Sequence, residues 1–236
     1  MDNAYVKGKF KYECKNRFRC VVNIEKEDVI CYVASSARLD NYVDLRNRDV
    51  LLRENKSQSK KTAYTLFAVE HAGTKVLLEL SHINNLLSNY LVWNDFFKVN
   101  ESDIISEKLV DNNYKADLLI VNGDNKICVE AKAILTLDKE TVFPIKQGKR
   151  ALKQLDKLKL LLHQGYEVNY WLVLLNPNSK TFSINSEENE YLKELKSCVD
   201  LGMKLLLSKV SWNDQKGFVI DSHKVLDPNC LYHTSD

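Results

Sequence analysis

The sequence predicts a two-domain protein of the α+β or α/β class, in which an OB-like β-barrel precedes an α/β domain whose mixed sheet is flanked by helices. Two observations predict this class. Roughly the first 80 residues form short strand-like runs separated by turns, without any run of helical period. Beyond Ser81, apolar strand-like runs alternate with amphipathic helical ones, as in an α/β domain. We therefore divide the chain into domains at residues 1–82 and 83–236.

The N-terminal region contains six short strand-like runs. The first run alternates charged residues with apolar ones, which are Val6, Phe10, Tyr12 and Cys14. The other five are expected at Phe18–Ile24, Val29–Val33, Val50–Arg53, Thr62–Glu70 and Lys75–Leu80. Strands at this spacing favour a small closed or partly closed barrel, and a five-stranded oligonucleotide-binding barrel is the preferred interpretation.

The second region is predicted to contain helices, a hairpin and two further apolar strands. Helical periodicity is found at Ile83–Leu91, Trp93–Phe97, Lys146–His163 and Glu187–Leu201. Ser186 is a suitable N-cap for the last of these, and Gly202 a suitable residue just beyond its end. The near-continuous apolar run Tyr170–Leu175 is typical of a strand buried on both faces, and Met203–Leu207 predicts another.

The most informative local pattern is a pair of apolar runs joined by the turn Asn122–Asn125. If the turn centres on its two middle residues, Asp117 lies directly opposite Glu130. The same register puts Lys115 opposite Lys132. Because side chains alternate along a strand, Glu130 and Lys132 share one face of the sheet. Two carboxylates and a lysine therefore converge on one patch.

This convergence has two interpretations. Acids directly opposite each other destabilise a strand pair unless something neutralises them, either a bound cation or a lysine. Asp117 and Glu130 could therefore hold a divalent metal beside a phosphate, or form a solvated mixture of charges offset by Lys115 or Lys132. Acidic-x-Lys triplets are common, but only Glu130-Ala131-Lys132 lies in an apolar β run with an acid in register across a hairpin.

Two groups of basic residues are candidate nucleic-acid contacts. The helix predicted at Lys146–His163 has an apolar face and, in one opposite sector, the cations Lys146, Lys149, Arg150, Lys153 and Lys157. A stripe of this kind can neutralise phosphates, although a solvated face is the alternative. The second group is Lys7, Lys9, Lys11, Arg17 and Arg19, near the aromatic residues Tyr5 and Tyr12 that could stack on bases. For this group, a lysine-rich face that protects a sheet edge is the alternative.

Composition excludes several classes of protein. The 236 residues are 44% hydrophobic, as in an ordinary globular protein, and no apolar run is long enough to span a membrane. The formal net charge of +2 means that nucleic-acid contact has to come from local patches. The N-terminus lacks the apolar core of a signal peptide. The cysteines and histidines lack the spacing of a metal site, so we expect reduced thiols in a cytoplasmic protein.

Motifs of the second region resemble those of the sugar fermentation stimulation protein (SfsA) family. They are Lys115-Ala116-Asp117, Cys128-Val129-Glu130-Ala131-Lys132, and Phe143-Pro144 with the following Gly148, Leu152 and Leu155. The resemblance covers almost the whole chain. It implies an OB-like domain joined to a PD-(D/E)xK nuclease-like domain, DNA binding, DNA/RNA nuclease activity and, through the name, a link to bacterial sugar metabolism. Asp117, Glu130 and Lys132 match the family's acid and E-x-K, and Glu107 matches an upstream glutamate.

The chain departs from the family's pattern at several positions. Ala34-Ser35-Ser36-Ala37 stands where the family has Pro-Asn-Thr-Gly. Lys115 replaces an arginine before the acid, and Ala151 replaces a histidine. The segment that follows Phe143-Pro144 is also shorter than in the family. These departures affect the barrel's binding surface and leave the metal-site residues in place.

The predicted function is metal-dependent cleavage of phosphodiester bonds in nucleic acid. Asp117 and Glu130 would hold Mg²⁺ or Mn²⁺ through oxygen ligands, with the Ala131 backbone carbonyl and Glu107 as further ligands. Lys132 would orient or deprotonate the attacking water, or stabilise charge on the phosphate. The expected partner is DNA, with RNA as an alternative, and no membrane. Nuclease domains that cut two strands often pair, which would make the chain a homodimer.

Two other functions are consistent with the sequence. The first is a non-catalytic DNA-binding protein that regulates sugar metabolism on an inherited nuclease scaffold. The intact Asp117, Glu130 and Lys132 argue against it, since a silent site has no reason to keep them. The second is a small-molecule phosphodiesterase, for which two basic patches would be excessive. Cleavage that requires metal separates a nuclease from a non-catalytic binder.

Overall fold

A computed structural model describes residues 5–35, 38–56, 61–110, 114–144, 149–185 and 190–231 of the chain. It confirms the predicted two-domain α+β organisation, with an N-terminal OB barrel and a C-terminal mixed sheet that carries few helices. The last barrel strand ends at Leu77, and a 3-10 turn at Leu80–His82 leads into the first helix of the second domain. None of the helices in these ranges is both long and apolar enough to cross a membrane.

The barrel is a curled sheet with the strand order β3-β2-β1-β4-β5-β6. Its strands are β1 (Tyr5–Glu13), β2 (Arg19–Ile24), β3 (Glu27–Tyr32), β4 (Asp49–Glu54), β5 (Tyr64–His71) and β6 (Thr74–Leu77). Parallel pairing of β3 with β5, at Cys31 opposite Tyr64, closes the sheet on itself. Five strands thus form the closed barrel, as expected, and β6 is added on the outer side of β5.

A bulge in β1 changes which side chains enter the barrel. The register with β2 shifts between Phe10 and Tyr12, so Phe10 is buried whereas Tyr12 points to solvent. The expectation that Tyr12 continues the apolar face is therefore wrong. Glu13 takes the inward position instead, and its carboxylate accepts the backbone N–H groups of Leu39 and Asp40, both at 3.0 Å. These bonds satisfy donors at the start of the 3-10 helix Leu39–Asn41.

The second domain is built on a mixed sheet with the order β16-β15-β13-β11-β10-β7. Its strands are β7 (Ile104–Ser106), β8 (Leu109–Val110), β9 (Tyr114–Lys115), β10 (Leu118–Asn122), β11 (Asn125–Ile134), β12 (Glu140–Phe143), β13 (Glu167–Leu174), β14 (Thr181–Ile184), β15 (Lys204–Asn213) and β16 (Gly217–Val225). Strands β11, β13 and β15 are parallel, whereas β7 and β10 at one edge and β16 at the other are antiparallel. Short pairs β8–β9 and β12–β14 lie beside this sheet.

Three α-helices lie within the described residues: α1 (Ile83–Trp93), α2 (Lys149–His163) and α3 (Glu190–Asp200). One core joins the barrel to α1 and one face of the sheet, and a second core lies between the other face and the pair α2 and α3. The helix expected at Trp93–Phe97 does not form, because Asp95 adopts a positive φ of 50° and ends α1 in a turn. Ser186 and the N-terminal residues expected for the last two helices lie outside the described residues.

The cysteines fit the expectation of reduced thiols. All six are free, and Cys20, Cys31, Cys128 and Cys198 are buried. Five strands within the described residues were not predicted: β7, β8, β12, β14 and β16. Strand β16 forms an antiparallel hairpin with the preceding β15, whereas β12 pairs in parallel with β14, which follows α2 and β13 in the chain.

Candidate active site between the barrel and the mixed sheet

The hairpin of β10 and β11 has the predicted register. Leu118 pairs with Val129, and Asn122 pairs with Asn125 across the turn. The same register, continued by one residue, sets Asp117 opposite Glu130. Strand β11 is central in the sheet because β13 covers its other edge in parallel. Asp117 therefore lies immediately before β10, which is paired with β7 and β11, and Glu130 lies within the central strand β11.

Glu130 is a buried carboxylate, only 2% exposed, that is held by three donors. Lys132 Nζ donates to its Oε1 at 2.6 Å, and Gln154 Nε2 donates to the same oxygen at 3.0 Å. Tyr114 donates its hydroxyl to the other oxygen, Oε2. A buried charge is tolerated only when it is paired and hydrogen-bonded, and these three contacts supply that stabilisation.

Asp117 reaches across the hairpin to the opposite strand. Its Oδ2 accepts the backbone N–H of Ala131 at 2.9 Å, and Asn84 of α1 donates to Oδ1 at 3.4 Å. Burial and the negative charge of Glu130 raise the pKa of Asp117 to about 6, which neither these bonds nor Lys132 prevent. Ionised Asp117 is therefore disfavoured by burial first and by the neighbouring carboxylate second.

Lys132 shares a face with Glu130, as the alternation of side chains predicts. Its Nζ lies between Glu130 Oε1 and Gln154 Oε1, the latter at 2.8 Å, and 5.8 Å from the centre of the Tyr170 ring. The structure therefore contains the lysine that offsets the opposed acids. Gln154 was not predicted to belong to the site, although it follows Arg150 by four residues and so lies on the same side of α2.

Buried tyrosines form the floor of the site behind Glu130. Tyr114 contacts Glu130 directly, and Tyr170 behind it is hydrogen-bonded to Tyr191 through their hydroxyls at 2.6 Å. Burial, together with the nearby charge of Glu130, raises the pKa of Tyr114 above its ordinary value. Burial likewise raises the pKa of Tyr170. The phenols stay protonated at neutral pH, and Tyr114 therefore remains a hydrogen-bond donor to the carboxylate.

The site opens into a cleft of about 730 Å³ between the two domains. Its sheet and helix walls contribute Asn84, Asp117, Glu130, Lys132, Arg150 and Gln154, among other residues. The barrel wall contributes Arg17, Phe18, Tyr32, Ser35 and Tyr42. Asp117 and Glu130 therefore both line the cleft, and positive charge approaches them from both walls.

The carboxylates fit a metal of the magnesium type. No group of three or more His, Cys, Asp or Glu side chains that could hold a metal is found in the described parts of the chain. Mg²⁺ does not require such a group, since it is usually held by one or two carboxylates together with waters and substrate phosphates. Asp117 and Glu130 supply two carboxylates at one point, and Ala131 lines the same cleft.

The structure does not bring Glu107 into the site. Glu107 follows β7 in a turn with a positive φ of 53°, and its exposed carboxylate pairs with Lys115. Its backbone does contact the site, since Glu107 N–H donates a hydrogen bond to the carbonyl of Asp117 at 2.9 Å. The expected role of Glu107 as a metal ligand is therefore corrected to that of a backbone support for Asp117.

The predicted basic residues lie in different places. On α2, Lys149, Arg150 and Lys153 are exposed and Lys157 is half-buried, whereas Lys146 lies outside the described residues. Arg150 and, from the barrel, Arg17 line the cleft. The remaining predicted contacts, none of which lines it, are Lys7, Lys9, Lys11 and Arg19.

The first strand of the barrel differs from its predicted use in two respects. Lys7 is paired with Glu70 at 2.9 Å, and Lys9 with Asp49 at 2.8 Å, so part of their charge is offset. Tyr5 packs flat on Phe67 at 4.6 Å between ring centres, which removes it as a stacking surface for bases. The aromatic side chains that do reach the cleft, such as Phe18, were not predicted.

Comparison with known proteins gives matches over most of the chain. The family model described as "Sugar fermentation stimulation protein RE domain" matches residues 81–216, and the model "SfsA N-terminal OB domain" matches residues 13–78. Curated sugar fermentation stimulation protein homologs are similar, one from Natranaerobius thermophilus with 25% identity over 80% of each chain. Another, from Alkaliphilus metalliredigens, has 23% identity over 79% of this chain and 81% of the homolog.

A solved structure shares the fold. It is described as "The structure of Pyrococcus Furiosus SfsA in complex with Ca2+", and it superposes with a TM-score of 0.76 over 93% of this chain and 94% of that one. The two sequences are 16% identical, so the likeness establishes the common fold alone.

Proposed function

The chain belongs to the sugar fermentation stimulation protein (SfsA) family, and from this premise we propose that it is a metal-dependent nuclease with a PD-(D/E)xK-type second domain. The substrate is DNA or RNA, cut with little sequence specificity. One observation supports this most strongly. Asp117, Glu130 and Lys132 meet at the floor of a cleft that both domains line. Binding of nucleic acid alone would not require these three side chains to meet at one point.

The residues present fit a divalent cation of the Mg²⁺ or Mn²⁺ type. Asp117 and Glu130 would hold it, with the Ala131 carbonyl as an additional oxygen ligand. When bound, such a cation lowers the pKa of a coordinated water and offsets charge that develops on the phosphate. The raised pKa of Asp117 supports the assignment. A bound cation would stabilise the ionised form of this carboxylate, which is disfavoured by burial and by the charge of Glu130.

The chain's own groups hold and orient the substrate. Lys132, fixed by Glu130 and Gln154, presents an ammonium group to the cleft, where it stabilises negative charge on a phosphate oxygen or positions the attacking water. Arg17 and Arg150 flank the cleft and contact the phosphate backbone on either side of the scissile bond. Lys149 and Lys153 extend this charge along α2. None of these contacts reads a base edge, which accounts for low sequence specificity.

A second function is favoured by one specific observation. Both oxygens of Glu130 already accept hydrogen bonds, from Tyr114 on one side and from Lys132 and Gln154 on the other. A carboxylate satisfied in this way can be a structural element of a protein that binds DNA without cutting it. The alternative is therefore a non-catalytic DNA-binding regulator, consistent with the family's name.

Cleavage assays separate the two functions. Purified protein is incubated with plasmid DNA, single-stranded DNA and RNA in Mg²⁺, Mn²⁺ or EDTA, beside the variants Asp117→Ala and Lys132→Ala. The exposed lysine variant Lys224→Ala serves as a matched control. A nuclease cuts only with metal, keeps its activity in the control and loses it in both site variants. Retardation without cutting in every metal, unchanged in the site variants, identifies a binder.

A further inference from the structure

The barrel wall of the cleft carries exposed aromatic rings. Phe18 is 39% exposed, Tyr32 is 38% exposed and Tyr42 is 37% exposed. The three lie on separate segments: the loop before β2, the end of β3 and the turn after the 3-10 helix Leu39–Asn41. The fold nevertheless brings them to the same cleft as Asp117 and Glu130. When exposed apolar side chains are gathered in one concave surface, that surface is more often a binding site than a chance result of packing.

We propose that these rings stack on unpaired bases, so that the substrate is single-stranded nucleic acid. The inference rests on the proposed function, because it names the substrate of the same site. In a duplex, each base is covered by its neighbours, and a protein meets phosphates and base edges rather than base faces. In a single strand, the faces are accessible, and aromatic side chains bind them irrespective of sequence.

The charges of the cleft fit this arrangement. The guanidinium of Arg17 lies over the Phe18 ring, 4.7 Å from its centre, so a cation covers one face of this ring and a base would stack on the other. Arg150 and Lys132 line the opposite wall. A strand in the cleft can therefore lay its bases on the barrel wall while its phosphates face the cations and carboxylates of the other wall. The same placement suits RNA and DNA, whose bases and phosphates are alike in this respect.

Other exposed aromatic residues supply a comparison. Tyr12 belongs to the barrel and is more exposed, at 56%, yet it does not line the cleft. If exposure of an aromatic ring were sufficient for binding, Tyr12 would contribute as much as Tyr32 or Tyr42. Tyr12→Ala is therefore a matched control for substitutions in the cleft.

The test measures binding without cleavage. Fluorescence anisotropy in EDTA compares a labelled DNA strand of about 16 nucleotides, the RNA strand of the same sequence, and the corresponding duplex. We expect the intact protein to bind at least one single strand more tightly than the duplex. Phe18→Ala and Tyr42→Ala should each weaken single-strand affinity by roughly fivefold to a hundredfold, as for the loss of one stacked base. Tyr32→Phe and Tyr12→Ala should leave it unchanged.

A further variant guards against misfolding. Phe18→Leu keeps an apolar side chain at the surface but removes the ring, so weakened binding together with an unchanged thermal unfolding curve supports stacking. Duplex bound as tightly as both single strands, or affinities unaffected by all three cleft substitutions to non-aromatic residues, would overturn the inference. Cleavage is scored separately. Single strands that bind through these rings but remain uncut with metal leave the inference standing and remove the proposed nuclease activity. Cutting of duplex that is unaffected by the substitutions of the rings would support the proposed nuclease activity and overturn the inference.

Discussion

Replacing Asp117 with asparagine should stabilise the metal-free protein at neutral pH. The pKa of Asp117 is raised from 3.8 to about 6, chiefly by burial and then by the charge of Glu130. Since a folded-state pKa above the unfolded value means that folding favours the protonated acid, the ionised form costs stability. The cost is absent below pH 3.8, grows as the pH rises towards 6, and is constant above 6. The substitution removes the ionisable group and with it the cost.

The size of the effect follows from the same shift. About two pKa units correspond to an upper value of about 3 kcal/mol. Part of this is lost, because the amide accepts a weaker bond from Ala131 N–H and Asn84 has to turn its amide to accept rather than donate, together about 1 kcal/mol. The variant should therefore be more stable than the wild type by about 1–2 kcal/mol at pH 7.5.

Urea unfolding in EDTA at pH 4.5 and pH 7.5 checks both the sign and the pH dependence. The stability difference between Asp117→Asn and the wild type should grow by about 2 kcal/mol between these two values. Asp124→Asn, in the exposed turn of the same hairpin, is the control and should show no such growth. If the Asp117 variant were less stable at pH 7.5, or if its difference from the wild type did not change with pH, the cost of ionising the buried Asp117 would be refuted.

Further predictions concern the groups around Glu130, the binding of Mg²⁺ and the packing of the barrel. Gln154→Ala should lower cleavage by about tenfold to a hundredfold, because it frees Lys132 and leaves Glu130 with one donor fewer; initial rates in Mn²⁺ measure this. Tyr114→Phe should cost about 1–3 kcal/mol of unfolding free energy, since it removes a buried donor to Glu130, and unchanged urea curves would show that the contact is weak. Adding Mg²⁺ should raise the Tm of the wild type but not that of Asp117→Asn, as seen by thermal unfolding at pH 7.5. Gly8→Ala should destabilise the barrel by about 1–3 kcal/mol, because the added Cβ would lie 2.6 Å from Val22 Cγ1, and denaturant unfolding measures the loss.

The sequence predicted the hairpin well because its information is local. A two-residue turn fixes the register, so Asp117 could be set opposite Glu130 from the positions of Asn122 and Asn125 alone. The side-chain period then placed Lys132 beside Glu130, which the 2.6 Å contact confirms. The barrel strands were predictable for the same reason, since each is a short apolar run between turns.

The rest of the site depends on contacts between distant parts of the chain. Gln154 reaches Glu130 from α2 and Asn84 reaches Asp117 from α1, and no local spacing relates either pair. The aromatic wall is formed in the same way, by barrel segments that meet the sheet only once both domains are folded. The bulge in β1 shows a different limit of prediction from sequence. A strict period of two predicted Tyr12 inside, and a single irregular residue reversed the phase and put Glu13 there.

We propose that Asp117, Glu130 and Lys132 form a metal-dependent site for cutting nucleic acid. This is tested by the single-turnover rate at which the protein cuts labelled single-stranded and duplex oligonucleotides as Mg²⁺ or Mn²⁺ replaces EDTA, for the wild type and Glu130→Gln. We expect a wild-type rate that rises with metal and saturates, and a Glu130→Gln rate lower by at least about a hundredfold. Equal rates for the two proteins, or no cutting by the wild type at any metal concentration, would contradict it.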